Sequence, residues 1–183
     1  AADNYSDKSH ALEKITQGVD RASHLVDQML VIARLDKSSL NKEPINLYSF
    51  VNELVGQFDS VVSKKKLSFS LEGDKGIVVK NDISSLTILL NNLLDNAVRY
   101  SCDSSDIVIS IQQNENTRLT IKNFGECIPA NDLERVFDRF YRVPGSSVTG
   151  CGLGLAISKQ VAEMQNIKLT LHNETDNSGV VAK

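Results

Sequence analysis

The chain has 183 residues, of which 41% are apolar and 23% charged. These values fit a globular domain and exclude a disordered, collagen-like or disulfide-dense chain. With 20 basic against 23 acidic residues the net charge is −3, so a nucleic-acid partner is not expected.

Residues 1–9 are polar and read as a frayed end. Leu12, Ile15, Val19, Ala22, Val26, Met29 and Ala33 then repeat at 3-4 spacing, an a/d helix stripe of about three heptads. A helix over about 8–36 would be roughly 45 Å long. The stripe either packs on the domain or forms one strand of a bundle completed from elsewhere. Lys37–Pro44 is polar and closed by proline, which marks a boundary. The pattern after it is mixed. Ile45–Leu47 reads as a short strand and Tyr48–Ser63 as a helix, with Phe50, Leu54, Phe58 and Val61/Val62 at helical spacing. Leu67, Phe69 and Leu71 alternate as a strand, and Ile77–Val79 starts another. Ile83–Tyr100 predicts a strongly apolar helix. Ile107/Ile109/Ile111 and Leu119/Ile121 read as a hairpin across a polar turn. Asn131–Asp138 reads as a short helix, Tyr141–Gly150 as a flexible loop and Gly152–Gln165 as a helix. Leu169/Leu171 form a strand, and Val180-Val181 starts a last one that the sequence end cuts short. The sum is an α+β sandwich, one mixed sheet covered by three helices on one face.

Three cysteines without a Cys-x-x-Cys pair speak against a disulfide framework or a zinc site and fit a reducing compartment. No run approaches the roughly 20 apolar residues of a spanning helix, and no signal peptide is legible. The sequence therefore reads as a soluble, cytosolic-type piece.

Four clusters carry chemistry. Asn92, Asn96, Arg99 and Tyr100 lie at i, i+4, i+7 and i+8, on one helix face. An amide there can ligate a hard cation such as Mg²⁺, an arginine can meet a phosphate, and a tyrosine can stack; a solvated face explains them equally. Asn123-Phe-Gly-Glu-Cys-Ile-Pro129 ends a strand, as a heterocycle contact or a plain turn. Phe137-Asp-Arg-Phe-Tyr-Arg142 is either a hinge with anion-seeking arginines or an aromatic core segment. Gly150-Cys-Gly-Leu-Gly-Leu155 opens a helix, where backbone N–H groups can meet phosphates. It is not a Walker loop, because no Gly-Lys-Ser/Thr follows, nor a dinucleotide-binding turn.

In this order, the four resemble the N, G1, F and G2 boxes of sensor histidine kinases, within the gyrase/Hsp90/histidine-kinase/MutL (GHKL) ATPase superfamily. The resemblance covers about residues 45–183 and implies the Bergerat-type fold, preceded by one long bundle helix. Arg21-Ala-Ser-His-Leu-Val-Asp-Gln-Met-Leu30 and Ala33-Arg-Leu-Asp36 resemble the second helix of the dimerization and histidine-phosphotransfer domain. Residues 1–43 would be its remnant and 44–183 the ATP-binding domain. The resemblance implies ATP and Mg²⁺ as cofactors. It places Mg²⁺ on Asn96, the phosphates near Asn92 and Arg99, the nucleotide beside Tyr100, and the γ-phosphate within reach of Arg142. Asn92, Arg99 and Arg142 are the implied catalytic residues. Gly150, Gly152 and Gly154 would shape the lid over residues 143–149. Ile128, Phe140, Tyr141, Leu153 and Leu155 would also contact the nucleotide, as would Asn123, Gly125 and Cys127. The implied partners are a second kinase chain and a response-regulator receiver domain. The parent would sit in a bacterial cytoplasmic membrane.

Three features depart from the family pattern. Asn123 stands where an acidic residue normally accepts from the adenine amino group, which removes charge assistance from that bond. Cys127 replaces a glycine, and with Cys151 it is expected to face the same pocket. The stretch holding the phosphoacceptor, His-Glu/Asp-x-x-Thr/Ser-Pro, is absent; His10, His24 and His172 all lack that context.

Overall fold

The computed structural model describes residues 40–146, 148, 150–176 and 178–183. The predicted heptad helix lies outside them. Chain order runs β1 (Lys42–Asn46), α1 (Leu47–Gly56), α2 (Asp59–Lys65), β2 (Ser68–Gly73), β3 (Val78–Asp82), α3 (Ile83–Tyr100), β4 (Asp106–Gln113) and β5 (Thr117–Phe124). Two 3-10 turns (Ala130–Asp132, Arg135–Phe137) follow, then α4 (Gly154–Gln165), β6 (Leu171–Asn173) and β7 (Gly179–Ala182).

Five strands build one mixed sheet in the order β2-β4-β5-β7-β6. β2 runs parallel to β4, and the other pairings are antiparallel. The chain passes from β2 to β4 through β3 and α3, which lays α3 across the sheet. β1 and β3 pair in a separate two-stranded sheet, so the expectation of a single sheet is corrected by this small one.

Alternation decides which sheet face is covered. Ile107, Ile109 and Ile111 on β4 are fully buried, whereas Val108 and Ser110 between them are not. The covered face packs in one cluster with Leu89, Leu90, Leu93 and Leu94 of α3, Val51 and Leu54 of α1, and Ile157 and Val161 of α4. Burying each such side chain is worth about 1.5–3 kcal/mol. Asn123 faces Ile107 across β4 and Val180 across β7, so its side chain shares the covered face.

Both ends of α3 are fastened. Asp82 caps the start, its Oδ1 accepting from the Ser85 N–H at 2.8 Å. Partial burial pushes this carboxyl up, but hydrogen bonds from Ser85 and Asn41 outweigh that and hold it below the usual carboxylate range. At the other end the Lys65 ammonium donates to the carbonyls of Val98, Arg99 and Ser101 at 3.0, 3.0 and 3.2 Å. A cation there satisfies carbonyls the helix cannot and opposes the dipole. Lys65→Met keeps the stem and removes the charge. It is expected to lower stability by about 1.5–2 kcal/mol, read from the urea midpoint. An unmoved midpoint would mean water replaces the ammonium at no cost.

Several element boundaries differ from the sequence pattern, beginning with the strand expected over Ile45–Leu47, which runs over Lys42–Asn46 because its pairing with β3 extends into the polar stretch. The helix expected over Tyr48–Ser63 starts at Leu47, capped by Asn46, and breaks into α1 and α2. Gln57 and Phe58 close α1 with tight i−3 bonds, and the Phe58 ring turns edge-on to Phe69, 6.2 Å away. The helix expected over Asn131–Asp138 is two 3-10 turns closed by Asp132→Pro129 and Asp138→Arg135 bonds, each 2.8 Å. α4 begins at Gly154 rather than Gly152, because Gly152 holds φ +69, outside the helical region. β6 is displaced to Leu171–Asn173. No described helix is long and apolar enough to cross a membrane.

Candidate functional site

One face of α3 carries Asn92, Asn96, Arg99 and Tyr100. With Asn123, Ile128, Tyr141, Arg142, Gly150, Gly152, Leu153, Gly154 and Leu155, they line a cavity of about 600 Å³. The cavity thus gathers residues from all four sequence clusters, which span more than sixty positions. Gly125, Cys127 and Phe140 do not line it.

Each of these three has a different physical role. Gly125 lets two backbones touch: a Cβ there would lie 2.0 Å from the Tyr100 carbonyl oxygen. Cys127 turns its thiol to the Gly179 carbonyl, 3.7 Å away, and its φ is not positive, so the side chain imposes no strain. The expected shared pocket for Cys127 and Cys151 is therefore corrected: Cys151 lines the cavity and Cys127 does not. Phe140 sits at φ +64 with its ring 59% exposed, turned outward where the chain reverses.

The polar end of the cavity lies between α3 and the start of α4. A Cβ on Gly154 would sit 3.5 Å from Asn92 Oδ1 and 4.0 Å from Asn96 Nδ2. The first turn of α4 receives no side-chain cap, so its N–H groups remain for another acceptor. Asn96 Nδ2 and Asn123 Nδ2, on two residues that line the cavity, are buried without a hydrogen-bond partner. Each costs about 1–3 kcal/mol in that condition, a cost that a polar ligand in the cavity would remove. Arg99 is aimed by Asp95, 2.6 Å away one turn earlier. Arg142 is exposed and donates to the Val148 carbonyl, tying it to the loop before Gly150.

The opposite wall is apolar, with Ile121, Ile128, Val180 and Ala182 near Asn123. Asn173 of β6 fixes Ile128 there. Its amide accepts from the Ile128 N–H at 2.9 Å and donates to the Ile128 carbonyl at 2.7 Å. Tyr141 is held by a hydrogen bond from its hydroxyl to Asp132, which also raises its pKa above the ordinary tyrosine value. The Arg135 guanidinium stacks 4.2 Å from its ring centre.

Sequence reasoning missed Asp95, Glu126 and Val136 as lining residues and Asn173 as a clamp. Asp95 was findable as the i−4 carboxylate partner of Arg99. Asn173 had no local signal, since its partner lies 45 residues away.

Residues 81–181 match the family described as histidine kinase-, DNA gyrase B- and HSP90-like ATPases. The swarming motility regulation sensor protein RssA of Serratia marcescens is 32% identical over 168 residues, covering 90% of this chain and 36% of that protein. The sensor protein kinase WalK of Staphylococcus aureus is 32% identical over 156 residues, covering 80% and 37%. The chain therefore spans little more than a third of the length of these relatives. Among solved structures, the mycobacterial sensor histidine kinase MprB is 26% identical with a TM-score of 0.66, over 78% of this chain and 94% of that one. Matched domain, mixed sheet and glycine-opened helix agree, and the chain belongs to the family of histidine kinase-, DNA gyrase B- and HSP90-like ATPases.

Proposed function

We propose that this chain is the ATP-binding catalytic part of a bacterial sensor histidine kinase. It would bind ATP with Mg²⁺ and transfer the γ-phosphoryl to a histidine, from which it passes to an aspartate of a response-regulator receiver domain. The observation that carries this is the meeting of unpartnered asparagine amides with an uncapped helix start in one cavity that also has an apolar wall. A purine fits the apolar end, and a polyphosphate fits the N–H groups of α4.

Asn96 is the candidate Mg²⁺ ligand. Its carboxamide lines the cavity beside the start of α4, and an amide oxygen suits a cation that keeps few protein ligands. When bound, Mg²⁺ neutralises phosphate charge. Asn92 and Arg99 would orient the phosphates, and Arg142 would approach the γ-phosphate once it leaves Val148. Catalysis would then be positioning and charge neutralisation. None of His10, His24 or His172 has the acceptor context, so the accepting histidine would come from outside this sequence. Residues 1–43 would contribute a bundle helix to a homodimer, 44–183 the catalytic domain, and the parent would be anchored in the cytoplasmic membrane.

Calorimetric titration with a non-hydrolysable ATP analogue, with and without Mg²⁺, tests the reading. Mg²⁺ is expected to tighten binding in the native chain. In Asn96→Ala that gain should fall about tenfold, as for the loss of one charge-assisted contact. No nucleotide binding under either condition would refute the proposal.

A further inference from the structure

We propose that the cavity accepts 6-oxopurine nucleotides as well as 6-aminopurine ones, because Asn123 presents to the base an amide that can be turned. The proposal rests on the reading of the cavity as a nucleotide site.

Asn123 is 7% exposed and sits where β5 ends. Its backbone is locked between Ile107 on β4 and Val180 on β7, so the side chain cannot leave the cavity wall. Ile121 and Ile128 flank it with apolar surface, which suits the face of a heterocycle. At the tip, Nδ2 is enclosed near Gly125, 3.5 Å from where a Cβ would stand, and makes no hydrogen bond. Asn123 lines the cavity, so its carboxamide is within reach of a ligand there.

A carboxamide carries two donors on one atom and an acceptor on the other. A half-turn about the Cβ–Cγ bond exchanges them. Nδ2 has no partner, so that turn costs no hydrogen bond on the donor side. A 6-aminopurine shows a donor at C6 and an acceptor at N1. A 6-oxopurine shows the reverse, a carbonyl at C6 and a donor at N1. In one orientation Oδ1 accepts from the 6-amino group, and in the other Nδ2 donates to the 6-oxo group. A carboxylate at this position would only accept, and would leave the 6-oxo group facing another acceptor. Glu126 also lines the cavity, but it is exposed on the turn and remains hydrated, so it imposes little selection. Asn123 is thus a specificity-determining residue whose chemistry relaxes the choice of base.

The test is calorimetric titration of the chain, with Mg²⁺ present, by non-hydrolysable analogues of ATP and of inosine triphosphate. Inosine differs from adenosine at the C6 and N1 edge alone. The native chain is expected to bind the two within about tenfold of each other. Asn123→Asp should widen the gap to about a hundredfold, with the loss falling on the inosine analogue. A native gap already near a hundredfold, beside normal binding of the ATP analogue, would overturn this inference and leave the nucleotide reading standing. So would a variant that folds and keeps the native ratio. Absence of binding by either analogue would overturn both. The native ratio needs no variant, so misfolding of Asn123→Asp does not blunt the test.

Discussion

Gly125→Ala is expected to lower the stability of the domain by about 3 kcal/mol and to abolish nucleotide binding. The cause is local and steric. The added methyl would stand 2.0 Å from the Tyr100 carbonyl oxygen and 3.2 Å from its carbon. Both are backbone atoms, so no side-chain rotation relieves the clash. The contact also joins two elements of the site. Tyr100 is the last residue of α3, Ser101 bridges to Gly125, and the Cys102 N–H donates to the Phe124 carbonyl at 2.8 Å. Displacing this junction moves the α3 turn that carries Asn96, Arg99 and Tyr100 away from Asn123. Urea unfolding and analogue titration read the two consequences separately. Gly56→Ala is the control, since a Cβ there has nothing within 4 Å and, at the end of α1, should leave stability unchanged or raise it by up to about 1 kcal/mol. A Gly125→Ala chain as stable as the control would show that the junction yields freely.

How much of this was legible depended on whether a signal is local. The span of α3 follows from apolar residues at helical spacing and an aspartate cap, both contained in the segment itself. The β4–β5 hairpin is legible for the same reason. The break between α1 and α2 was not legible, because Phe50, Leu54, Phe58 and Val62 keep helical spacing straight through it. What breaks the helix is the contact of Phe58 with Phe69, a residue from the next strand. The pairing of β1 with β3 and the clamp of Asn173 on Ile128 are likewise fixed by distant partners. In the site, the amide face of α3 and the glycine-opened helix were legible from spacing alone. The positions of Gly125, Cys127 and Phe140 were not, because motif membership does not distinguish a residue that touches a cavity from one that supports its wall.

Gly152→Val should weaken nucleotide binding about a hundredfold, roughly 2.7 kcal/mol, while barely moving the urea midpoint. Gly152 holds φ +69, where a β-branched residue is strained by about 1–3 kcal/mol. Space is short as well: a Cβ would lie 2.7 Å from the Phe140 carbonyl carbon and from the Tyr141 carbonyl oxygen. The Gly152 carbonyl accepts from the Phe140 N–H at 2.8 Å, so the glycine clips the base of the loop onto the segment that carries Tyr141 and Arg142. Valine would release the strain by opening that clip rather than by unfolding the sheet. Most of the fully buried core, Ile107, Ile109, Ile111 and Leu94 among it, lies outside this contact, and the buried Leu153 anchors the start of α4 just beyond it. Local opening of this kind costs less than global unfolding. It would shift the glycine-rich helix start and Arg142 together, away from Asn92 and Asn96. The expected result is therefore a split, with affinity lost and stability kept. A variant that loses both equally would place Gly152 in the folding core, and one that keeps native affinity would show that the loop reaches its working position without the clip.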